Sequence, residues 1–111
     1  MTEESKPRIT KTVPRERAFY FFTSIGNYTG KSAASLEEFM EKIKEVNAKS
    51  LEFHFYRGDF EKWFIEVLRD EELAEEFKKL YALNLVGEPL RDQLHHIVSV
   101  HLKRLTEIQA S

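Results

Sequence analysis

The sequence predicts a mainly α fold, a compact bundle of four to five helices in one domain, with at most one short strand pair near the N-terminus. Three observations predict it. From residue 35 onward, apolar side chains recur at three- and four-residue spacing, so each stretch carries a stripe to bury. Ser, Asp and Pro stand where helices start, and the connections between stripes are short. The chain of 111 residues, with 41% hydrophobic and 13% aromatic residues, is long enough to bury a core without disulfide or metal staples.

Taken in order, residues 1–14 carry Pro7, Pro14 and polar filler and read as an arm outside the core; residues 15–111 read as one helical domain. "AFYFFTSI" at 18–25 is a short apolar run, read as extended. Ser35 followed by Glu38 forms a capping box. Leu36, Phe39, Met40, Ile43 and Val46 then predict a helix over 36–47. "SLEFHFY" at 50–56 alternates like a strand, yet Ser50 stands where a cap would, and helix is preferred. Asp59 is read as the cap of a helix burying Phe60, Trp63, Phe64, Val67 and Leu68, and Asp70 as the cap of one burying Leu73, Phe77 and Leu80. Pro89 opens a last helix over 89–108, with Leu90, Leu94, Ile97, Leu105 and Ile108 on its apolar face.

Composition removes several chemistries. With no Cys, thiol nucleophiles, iron–sulfur clusters and zinc knuckles are out, and a reducing compartment is expected. No apolar run reaches the length of a membrane span, and the first residues lack a signal's apolar core. A cytoplasmic protein is therefore expected. Glu interleaved with Lys and Arg is a pattern found in proteins from hot environments. The net charge of −2 hides an asymmetry, because Lys6, Arg8, Lys11, Arg15 and Arg17 crowd the first segment.

Several motifs invite chemistry that their context withholds. "TGKS" at 29–32 suggests a phosphate-binding loop, but that loop needs four residues between its glycines, and Gly26 and Gly30 leave three. The stretch reads as a glycine-hinged loop. The four histidines His54, His95, His96 and His101 suggest a metal centre, but at about 100° per helical residue His101 falls within the apolar face while His96 and Asp92 lie opposite. A site built by His101 with His54 or Asp59 needs a third ligand, so no metal and no cofactor are expected. No glycine-flanked nucleophile or Ser-His-Asp order is present, and "RGD" at 57–59 and the sequon at Asn27 carry nothing in a chain that is not secreted.

"FHFYRGDFEKWF" at 53–64 differs in kind, because it places His54, Arg57 and Asp59 among rings at the join of two helices. Trp, Tyr and Arg are the residues enriched at binding hot spots. Together "FTSIGNYTGKSAASLEEF", "SLEFHFYRGDFEKWFIEVLRDEELA" and "GEPLRDQL" resemble a family of small prokaryotic domains of unknown function, prominent among thermophilic archaea. The resemblance spans most of residues 18–108, with His54, Arg57, Asp59, Phe60 and Trp63, then Asp70, Leu73 and Ala74, as its most specific element. It implies a small helical domain and no known activity.

The expectation is a non-enzymatic interaction or regulatory module, binding a protein partner or itself through His54, Arg57, Asp59 and Trp63. An alternative is RNA or other nucleic-acid binding through Lys6, Arg8, Lys11, Arg15 and Arg17, which would weaken steeply with salt. A further alternative is a small-ligand or metal-dependent enzyme or sensor around His54 and His101.

Overall fold

The computed structural model describes residues 12–110, and the fold is mainly α: a β-hairpin precedes five helices. The hairpin pairs β1 (Phe19–Ser24) with β2 (Asn27–Ala33). The helices are α1 (Leu36–Glu45), α2 (Ala48–Arg57), α3 (Asp59–Glu66), α4 (Glu71–Lys78) and α5 (Gly87–Ala110). One 3-10 turn, Arg15–Arg17, leads into β1, and another, Lys79–Leu83, follows α4.

The short apolar run is thus extended, and its partner is the segment read as a loop. The TGKS tetrapeptide lies inside β2. Pairing runs Phe19 to Ala33, Tyr20 to Ser32 and Phe21 to Lys31, then jumps to Phe22 with Tyr28, leaving Thr29 and Gly30 unmatched. This is a bulge. Gly30 takes φ +87, a backbone state that a side chain disfavours, and the Thr29 hydroxyl donates to the Phe21 carbonyl at 2.7 Å. Lys31 reaches Glu45 on α1, 3.4 Å away, and the next helix starts five residues later, at Leu36.

Local capping fixes most helix starts. Ser35 accepts from the Glu38 N–H, and Glu38 in turn accepts from the Ala34 N–H. Asp70 accepts from the Leu73 N–H at 3.1 Å. Two expected caps are different residues. Asn47 caps α2, so Ser50 is interior and buried. Gly58 precedes α3, so Asp59 is its first residue and makes no capping bond. The reason appears below: the Asp59 carboxylate faces two other side chains.

The core is built on rings. Phe39 packs within 6 Å, centroid to centroid, of Phe19, Phe21, Phe60, Trp63 and Phe64. β1 lies on α2, β2 on α1, and α5 runs across α1, α2 and α4. At 1.5 Å per residue, the 24 residues of α5 span about 36 Å. Its buried stripe is Leu90, Leu94, Val98, His101 and Leu102, rotated from the expected one; Ile97 and Leu105 are half-buried and Ile108 is 61% exposed. Val13, read as part of the arm, is 8% exposed and donates to the Ala34 carbonyl at 2.8 Å, so the packed body begins before Pro14.

Candidate functional site

Gly58 creates the site's geometry. At φ +79 it ends α2 in the left-handed conformation, its N–H donating to His54 and Phe55 carbonyls, and α3 begins on the next residue. This sharp joint brings His54, Arg57 and Asp59 together. Asp59 Oδ2 accepts from His54 Nδ1 at 2.8 Å and from Arg57 Nε at 3.1 Å. The other imidazole nitrogen, Nε2, lies 2.8 Å from the Phe22 backbone nitrogen of β1.

These contacts fix the ring's protons. A backbone N–H can only donate, so Nε2 presents its lone pair and Nδ1 carries the hydrogen given to Asp59. Neutral His54 satisfies both neighbours at once. Burial among Phe19, Phe21, Phe53 and Phe60 holds its pKa below the ordinary value; the bond to Asp59 opposes this and the Arg57 charge assists it. With both nitrogens engaged, His54 fastens β1 to the α2–α3 joint.

Arg57 is half-exposed, and its guanidinium lies over the Phe53 ring, 4.9 Å from the centroid. Beside it opens a groove of about 310 Å³ between the hairpin tip and α2. Phe22 and Ile25 wall one side, Phe53 and Arg57 the other, with His54 and Asp59 between. Ile25 is 77% exposed and Tyr28 is 46% exposed, an unusual apolar load for a two-residue turn and its flank.

The other expected site residues go elsewhere. Trp63 is buried and donates its indole N–H to the Arg17 carbonyl at 2.8 Å, so it anchors the chain before β1 and lines no part of the groove. Arg17 donates to the Glu66 carbonyl at the end of α3, a favourable place for a cation, while the Arg15 carbonyl accepts from the Tyr20 hydroxyl. Lys6, Arg8 and Lys11 lie outside the described residues. His101 is 2% exposed and bonds Asp70 at 2.7 Å; it is a core histidine with its own carboxylate and does not join His54. Among the described residues no group of three His, Asp or Glu is placed to hold a metal ion. Asp92, His95 and His96 share a second, polar depression with Lys44, where burial and the Lys44 charge lower the His95 pKa.

The sequence reading did not find the hairpin half of the groove. Its signal was present in the alternation of "FYFF", which sends Phe19 and Phe21 into the core and leaves Phe22 on the other face. Nor did it find Arg91, whose guanidinium donates to the Ile43 and Val46 carbonyls at the end of α1 while Glu88 holds it from the other side. That hydrogen bond lowers the Glu88 pKa.

Comparison with known proteins adds one match. The model of a family of unknown function, DUF5752, matches residues 14–111, and the chain belongs to that family. No curated protein and no solved structure matches the chain. Among the described residues, no helix is long and apolar enough to cross a membrane.

Proposed function

We propose that this member of the DUF5752 family is a non-enzymatic interaction module that seats an apolar side chain of a protein partner in the groove between the hairpin tip and α2. One observation carries the reading: Ile25, Phe22 and Phe53 line an open surface groove, while the polar groups beside it are engaged within the chain. A surface that exposes apolar walls under an arginine rim matches the composition of binding hot spots. The same internal bonds occupy both ring nitrogens of neutral His54 within the chain.

The test is capture from native extract with wild type and Ile25→Asp, each with and without nuclease. Ile25 packs on nothing that folding requires, so the variant keeps its stability within about 0.5 kcal/mol. A stoichiometric protein retained by wild type and lost by the variant is expected; a second copy of this chain in that role would identify self-association. Equal recovery by both proteins, or recovery abolished by nuclease, would sink the proposal.

A further inference from the structure

The hairpin is built in two parts. Its base, Phe19–Phe21 against Lys31–Ala33, is regular and buries Phe19, Phe21 and Ala33. Its tip, from Phe22 to Tyr28, lies beyond the bulge, is separated from the base by the first register shift and contains a second. Bulges weaken the ladder locally, so the tip does not inherit the rigidity of the base. It does form one wall of the groove.

The polar tie from the tip to the opposite wall is the 2.8 Å bond from the Phe22 N–H to His54 Nε2, beside an edge-on contact of the two rings. An imidazole accepts there only while that nitrogen is unprotonated. Adding a proton replaces the acceptor by a donor, and two N–H groups then point at each other across the same gap. The charged groups facing His54 are Asp59 from α3 and Arg57 from α2, and the rings of Phe19, Phe21, Phe22, Phe53 and Phe60 pack around it. Asp59 keeps its bond to Nδ1 in either state, so the ring is held in place and the mismatch falls on Phe22.

From this geometry we infer that His54 is an acid-sensitive latch: neutral, it closes the hairpin tip against α2 and sets the groove's width; protonated, it releases the tip while the base of the hairpin stays packed. Its effect on partner binding rests on the interaction reading above, but the latch is measured on the isolated chain, so the two fail separately.

The experiment is nitrogen-15 NMR of the full chain through a pH titration, following the His54 ring nitrogens and the hydrogen-exchange protection of Phe22, with Phe21 and Phe60 as internal references. At neutral pH the ring should show the Nδ1–H form with Phe22 protected. As His54 protonates, Phe22 should lose protection in step while Phe21 and Phe60 keep theirs. A His54→Gln variant retains an acceptor and a donor without the titration, and its Phe22 protection should not change over the same range. Phe22 protection that persists once His54 is charged overturns the latch, as does an Nε2–H form at neutral pH or simultaneous loss at all three amides. The wild-type ring signals decide the matter even if the variant does not fold.

Discussion

Asp70 serves two elements with the two oxygens of one carboxylate. Oδ1 accepts from the Leu73 N–H and starts α4, while Oδ2 accepts from buried His101 of α5. Removing it leaves an uncapped helix, worth about 1 kcal/mol, and a buried imidazole N–H without a partner, worth about 1–3 kcal/mol. Asp70→Ala should therefore lose about 2–4 kcal/mol in urea unfolding. Asp70→Asn retains the capping oxygen and should lose less. Equal losses for the two variants would mean that the cap contributes nothing. His54 works by the same logic, one ring holding a strand and a helix start.

Between elements, the decisive joint is Gly58. An added Cβ there would meet no atom within 4 Å, so packing is not the reason for glycine. The reason is φ +79, a backbone state that a side chain strains by about 1–2 kcal/mol. Gly58→Ala should lower stability by that amount in guanidinium unfolding, with Phe22 amide protection falling as the joint relaxes. A neutral substitution would show that the joint tolerates a different backbone path. Joints elsewhere use side chains instead: Arg91 covers the last carbonyls of α1, and Glu52 accepts from the Gly87 N–H at the start of α5.

For the whole molecule, titration translates into stability with a definite sign. His54 and His95 are both held below the ordinary value of 6.5 in the folded chain, so the unfolded chain binds protons first as the pH drops. Stability is therefore full above 6.5, falls as the pH is lowered through that value toward the folded pKa of each group, and levels off below them. Thermal unfolding measured in steps from neutral to mildly acid pH should show a falling midpoint, with a shallower fall in His54→Gln. An unchanged slope in that variant would assign the effect to His95 and other groups.

What the sequence determined by itself was whatever depends on neighbours within a few residues. Ser35 and Asp70 cap the helices that follow them, the stripes at Phe39 and Ile43 or Leu73 and Phe77 face inward, and five helices form roughly where the period of 3.6 places them. The one-residue shortfall between Gly26 and Gly30 was enough to argue against a phosphate loop, although not to reveal a strand, because the β2 segment lacks apolar alternation and exists only through pairing with β1. Tertiary structure decided the rest. Asp59 has the residue type of a cap, yet the fold brings it to His54 and Arg57, and a charge-assisted contact outweighs a cap that the Gly58 joint makes unnecessary. Ile25 opposite Phe53, Phe22 bonded to His54 and Trp63 bonded to Arg17 join residues that lie 28, 32 and 46 positions apart. Such pairings carry no local signal, since only the packed core sets which surfaces meet.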